Sequence, residues 1–99
     1  MHSQKELIIM DLEDNIGFVK QEVSKGQKIN IRYREIEDII DAKEDIPFGF
    51  KIALRNINQG EIIYKFGEAI GIARIPIAKG EMVHVHNVDG LRGRGDLTQ

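Results

Sequence analysis

Ile77-Ala78-Lys79-Gly80-Glu81-Met82-Val83-His84-Val85-His86 decides how this chain is read. An aliphatic residue, two intervening residues, a glycine, a polar residue and an aliphatic-rich run follow one another. The same order occurs at Val23-Ser24-Lys25-Gly26-Gln27. It recurs at Ile57-Asn58-Gln59-Gly60-Glu61, which runs on into Ile62-Ile63-Tyr64-Lys65-Phe66. Glycine in such a place supplies the positive φ of a tight turn, where a residue with a Cβ is strained. The aliphatic, β-branched flanks favour strands. The unit is strand, turn, strand, and the uneven spacing of its copies argues against a solenoid.

Further strands are expected over residues 5–10, 15–21, 28–34, 50–55 and 69–75. Ile29, Ile31 and Tyr33 alternate with polar residues, the period of a half-buried strand. Ile36, Ile39 and Ile40 have helical spacing, but their segment is short and ends against Ile46-Pro47. Residues 35–45 are therefore read as a strand end plus a turn or a short helical turn. Pro76 suits a strand start or edge. The glycine-rich, charged residues 91–99 are expected to leave the domain as a flexible or partner-docking tail. The expectation is one all-β domain of short strands over residues 6–90, with at most a short helical turn.

A chain of 99 residues fits one domain, and its 41% hydrophobic and 30% charged residues are ordinary for a soluble globular protein. A formal net charge of -2 disfavours a nucleic acid partner, which usually meets a basic face. The absence of cysteine rules out disulfides and thiolate chemistry and fits a reducing compartment. No apolar run approaches the roughly 20 residues of a membrane span, and the polar N-terminus lacks the apolar core of a signal peptide. A cytoplasmic location and no membrane partner are expected.

Several residues are candidates for chemistry. On one extended strand, His84 and His86 project from the same face and their imidazoles converge on an ion or an acidic group. A metal held there needs at least one further ligand from elsewhere in the fold. Half-exposed histidines making ordinary hydrogen bonds are the plainer reading. Asn87 either orients a ring or a substrate hydroxyl, or simply ends the strand. Pro47 and Gly49 shape a rigid turn into a strand, and Lys51 just after it either holds a substrate carboxylate or is solvated. Glu68 is a third ligand, a general base or, more simply, a surface carboxylate. Tyr64 and Phe66 are core or partner-facing aromatics. Gly67 and Gly71 match no phosphate-binding loop, and there is no Ser/His/Asp arrangement and no thiol nucleophile.

Taken together, Asp14-Asn15, Ile46-Pro47-x-Gly49-x-Lys51-Ile52-Ala53-Leu54, Gly60-Glu61, the run from Tyr64 to Ala73, and Gly80-Glu81-x-Val83-His84-Val85-His86-Asn87 resemble the SAF domain of the altronate/galactarate dehydratase family. The resemblance covers roughly residues 6 to 95 and extends into the Arg92-Gly93-Arg94-Gly95-Asp96 tail. It implies a β-clip-like fold. Members of this family dehydrate sugar acids, or, as two-subunit (2R)-sulfolactate sulfo-lyases, eliminate sulfite, usually with a divalent metal such as iron, manganese or magnesium. In single-chain members this domain precedes a much larger catalytic domain. The implication is a small (alpha) subunit, silent alone, that completes the active site of a separate large catalytic subunit acting on a sugar-acid or sulfolactate-like substrate. His84, His86 and Lys51 would then be catalytic, Lys51 and Asn87 would bind substrate, and His84 and His86 would ligate metal. The alternative is a non-catalytic SAF ligand-binding or assembly module. The isolated chain is open to homo-oligomerisation. One departure stands out: the family commonly has Gly-His-Lys where this chain has Gly49-Phe50-Lys51, and phenylalanine neither ligates a metal nor carries a proton.

Overall fold

A computed structural model describes residues 5–8, 13–33 and 36–91. Its strands are β1 (Lys5–Ile8), β2 (Ile16–Val19), β3 (Lys28–Tyr33), β4 (Ile36–Asp41), β5 (Lys51–Ala53), β6 (Ile62–Lys65), β7 (Glu68–Ala73), β8 (Met82–Val83) and β9 (Val88–Asp89). No helix occurs among the described residues, so the chain is all-β as expected. Six strands form one sheet in the order β4-β3-β1-β2-β5-β8, and three form another in the order β6-β7-β9. Neighbours are antiparallel except β1 and β3, which run parallel.

The turn unit of the sequence organises both cores. In full, it is an aliphatic residue, three residues, an aliphatic, two residues, glycine, two residues and a final aliphatic. Val19-Val23-Gly26-Ile29, Ala53-Ile57-Gly60-Ile63 and Ala73-Ile77-Gly80-Val83 fit this spacing, and so does a fourth copy, Ala42-Ile46-Gly49-Ile52. Every aliphatic residue named is buried. Each glycine has a positive φ, between 84° and 95°, at the third position of a β-turn. These turns close through Gln27 N–H to Ser24 O, Phe50 to Pro47, Glu61 to Asn58 and Glu81 to Ala78, each at 3.0 Å, the type II arrangement in which glycine is favoured.

The copies associate in pairs. Val23 and Ile46 exchange both backbone hydrogen bonds (2.9 and 2.8 Å), as do Ile57 and Ile77 (2.8 Å each). Within each pair, the turn glycine of one copy donates to the leading aliphatic of the other: Gly26 to Ala42, Gly49 to Val19, Gly60 to Ala73 and Gly80 to Ala53. The first pair builds one hydrophobic cluster with Ile31 and Ile40, and the second builds another with Ile16. β5 belongs to both, because Ile52 ends one copy and Ala53 starts the next, and successive strand side chains leave from opposite faces.

Two expectations over the chain's middle and end are corrected. Residues 36–41 are not a strand end leading into a helical turn. They form the six-residue strand β4, paired along its whole length with β3. Ile40 is buried opposite Ile29 while Ile39 is 49% exposed, so the Ile39-Ile40 pair that suggested helical spacing is split between two faces of a sheet. The strand at residue 82 stops at Val83 and does not reach His86. The expected tail lies outside the described residues beyond Leu91.

Candidate functional site

The end of the β5–β8 ribbon gathers most of the singled-out residues. Lys51 stands opposite Val83 across this ribbon and opposite Phe18 of β2 on its other side. Beyond Val83 the chain turns sharply. Asn87 N–H donates to His84 O at 3.1 Å, His84 N–H donates to Asn87 Oδ1 at 2.9 Å, and Asn87 Nδ2 donates to Met82 O at 2.9 Å. Arg74 fixes the same turn from outside, donating through Nη2 to Val85 O at 3.1 Å and through Nε to Asp89 at 3.0 Å. His84 and His86 are thus on a turn, not on an extended strand, and the alternation that was to align their rings does not apply. His84 is half-buried and His86 exposed. Asn87 is buried, and its amide oxygen and nitrogen both bond to the chain's own backbone rather than standing open to a substrate.

Phe50 holds a position with an unusual freedom. In the other copies of the turn, the residue after glycine folds its side chain back onto the turn: Gln27 Oε1 accepts from Ser24 N–H at 2.8 Å, Glu61 Oε1 from Asn58 at 2.8 Å, and Glu81 Oε1 from Ala78 at 2.9 Å. In the fourth copy that donor is replaced by Pro47, which has no N–H. The side chain at position 50 is therefore released from the turn. Its ring packs on the first hydrophobic cluster with Leu54 and Met82, and lies 4.8 Å from the His84 ring at 46°.

Lys51 leaves the strand from the face opposite to Phe50. It therefore does not share a wall with the Phe50–His84 stack. Its partner across the strands, Phe18, in turn meets Phe66 and Lys65. The Phe18 and Phe66 rings meet edge to face at 6.2 Å, and Lys65 Nζ lies 5.0 Å from the Phe66 centroid and 6.0 Å from that of Phe18. Burial, and then the positive charge of Lys65, hold the Lys51 ammonium below its usual pKa of 10.5. No ion pair to Lys51 or Lys65 occurs among the described residues.

Phe66 is held there under strain. Phe66 and Gly67 form the two-residue turn between β6 and β7 with φ of 56° and 77°, a conformation usually taken by Asn, Asp or Gly and costing a bulky residue about 1–2 kcal/mol. The Asp14 carboxylate compensates by accepting from Phe66 N–H at 3.0 Å and Gly67 N–H at 2.8 Å. Its neighbour Asn15, fully buried, accepts from Tyr64 N–H at 2.8 Å and donates to Ile62 O at 2.9 Å, spanning the register shift in β6. Asp14-Asn15 is thus the clamp that fixes the β6–β7 hairpin on β2. Sequence reasoning did not bring Phe18 and Lys65 to the site. The available signal was Lys65-Phe66-Gly67, a phenylalanine where a hairpin turn normally has a small polar residue.

Apolar side chains are exposed on the turns next to these residues. Phe48, at the tip of the fourth turn, is 71% exposed, Val85 is 70% exposed and Phe66 is 47% exposed. Glu68 is exposed on β7, opposite Lys65 and away from both histidines in the chain's pairing. Among the described residues a divalent metal finds no set of ligands: no three His, Cys, Asp or Glu side chains come together, and the His84 ring packs against Phe50. No helix among the described residues is long and apolar enough to cross a membrane.

The family model for the altronate/galactarate dehydratase SAF domain matches residues 5–91. An altronate dehydratase of Bacillus subtilis (strain 168) is 36% identical over 83 residues, 84% of this chain but 16% of that protein. The (2R)-sulfolactate sulfo-lyase subunit alpha of Chromohalobacter salexigens is 33% identical over 90 residues, 88% of this chain and 96% of that subunit. An altronate dehydratase of Escherichia coli (strain K12) is 30% identical over 74 residues, 75% of this chain and 14% of that protein. The chain thus spans a small part of the dehydratases and nearly all of the sulfo-lyase subunit. With its family match over both hydrophobic clusters and the ribbon end between them, this chain belongs to the altronate/galactarate dehydratase SAF domain family.

Proposed function

We propose that this chain is the small subunit of a sugar-acid dehydratase or a related sulfo-lyase, completing the active site of a large catalytic subunit. What supports this most is the match to a sulfo-lyase alpha subunit over 96% of that subunit's length, since that relative contains little besides this domain. The ribbon end supports it too: Phe48 and Val85 are exposed large apolar side chains on the turns that carry Phe50 and the two histidines, and such surface suits a protein partner.

The chemistry is β-elimination. A base removes the proton next to a carboxylate, and an acid assists departure of the β-substituent, water or sulfite. In this reading the base lies on the large subunit. His84 and His86 form the polar edge of the shared site, where imidazole carries protons near neutral pH. Lys51 supplies a positive charge for a substrate carboxylate from a separate face. A divalent metal of the complete enzyme, iron, manganese or magnesium, takes at most two ligands from these histidines. Asn87 acts on substrate only through the turn it holds. The setting is cytoplasmic.

Co-expression with a large dehydratase-type subunit tests the reading. Elimination of water or sulfite is expected from the complex and not from the chain alone. His84→Ala and His86→Ala are expected to lower activity while leaving the complex assembled. Turnover by the chain alone, or loss of assembly with either variant, would replace this reading with an autonomous enzyme or a pure assembly module.

A further inference from the structure

We infer that Lys51 and Lys65, walled by Phe18 and Phe66, form a binding site for the carboxylate of a small organic acid. The charge arrangement carries the inference. Lys65 Nζ lies over the Phe18 and Phe66 rings, Lys51 stands across from Phe18 on the neighbouring strand, and no acidic side chain among the described residues pairs with either lysine. Lys51 is half-buried on the cluster-facing side of β5, directly across from Phe18. Lys65 lies over both rings instead of reaching Glu68, its partner across the hairpin. Like charges held together in a partly desolvated place favour an anion between them, and aromatic walls strengthen that attraction by excluding water.

The backbone points the same way. Phe66 occupies a turn position that Asn or Gly fills without strain, and Asp14 grips both turn amides to keep it there. Strain that is maintained by dedicated contacts is a mark of a site where the ring has a use. Here the ring closes one side of the lysine pair. An apolar wall beside a positive charge suits a carboxylate attached to a carbon chain better than a fully hydrated inorganic ion. The lysine pair stands on this geometry alone; that its occupant in the cell is the eliminated substrate rests on the proposed function.

Amide NMR of the full chain at constant ionic strength, titrated separately with galactarate, acetate, sulfate and chloride, tests the inference. Saturable shifts at residues 18, 51 and 65–67 are expected with galactarate and acetate. They are expected to weaken by about tenfold or more in Lys51→Gln and Lys65→Gln. Phe66→Asn keeps the turn and removes the ring, and is expected to weaken binding with the fold intact. Shifts that are absent, equal with chloride, stronger with sulfate, or unchanged in both lysine variants would overturn it. Because the assay needs no large subunit, its failure leaves the subunit reading standing, and failure of assembly leaves this result standing.

Discussion

The Phe50 ring lies 4.8 Å from the His84 ring, tilted by 46°, at the one turn copy whose capping side chain has been released by a proline. A change at position 50 therefore acts on the site without breaking the turn. Phe50→His places a second imidazole beside His84. It is expected to cost about 1–2 kcal/mol through lost apolar packing and to tighten Ni(II) or Zn(II) uptake by about tenfold. Calorimetry on the two proteins decides; equal metal affinity would show that the rings do not face a common point.

The clamp on the hairpin can be measured directly. Asp14→Ala removes both carboxylate bonds to the Phe66-Gly67 turn and is expected to cost about 2 kcal/mol in urea unfolding. The double variant Asp14→Ala/Phe66→Gly relieves the strained φ and is expected to recover part of that loss. No recovery would mean that the carboxylate acts elsewhere than on the turn.

Two glycines separate backbone conformation from crowding. Gly26 has a φ of 91° with nothing within 4 Å of an added Cβ, whereas at Gly80, with a φ of 95°, a Cβ would lie 2.2 Å from Asp41 O. Gly26→Ala is expected to cost about 1 kcal/mol, the left-handed penalty alone. Gly80→Ala is expected to cost more than about 3 kcal/mol, because β4 must also move. Equal losses by chemical denaturation would remove the close approach as an explanation.

Lys51 carries a pH signature. Its folded pKa lies below 10.5 through burial and then Lys65, so the folded chain sheds this proton before the unfolded chain does. Stability attributable to Lys51 therefore rises with pH across that window, and its penalty is fully present at neutral pH. Lys51→Met is expected to be more stable than the parent at neutral pH, with the gap narrowing as pH climbs through 10.5. A gap independent of pH would assign the gain to packing instead.

Much of this architecture is legible from aliphatic and glycine spacing, because burial selects the aliphatic positions and a positive φ selects the turn glycines. The copy at Ala42-Ile46-Gly49-Ile52 is less legible because Phe50 follows its glycine where the others have Gln or Glu, a difference that Pro47 explains only through the turn hydrogen bonds. The His84-x-His86 alternation fails for a related reason. Asn87, three residues past His84, folds its amide back onto the backbone and the strand ends at Val83, a local side-chain choice that strand periodicity does not contain. The Lys51–Lys65 neighbourhood joins β5 to β6 through Phe18 of β2, a relation set by packing between the two sheets rather than by any local motif.

β5 is three residues long, yet Ile52 and Ala53 on it seal different hydrophobic clusters. The two halves of the molecule consequently have no boundary along which to part: loosening one withdraws a wall from the other. Unfolding should be a single cooperative event despite the doubled plan. A partner or anion that engages Lys51 therefore takes hold of the strand common to both halves.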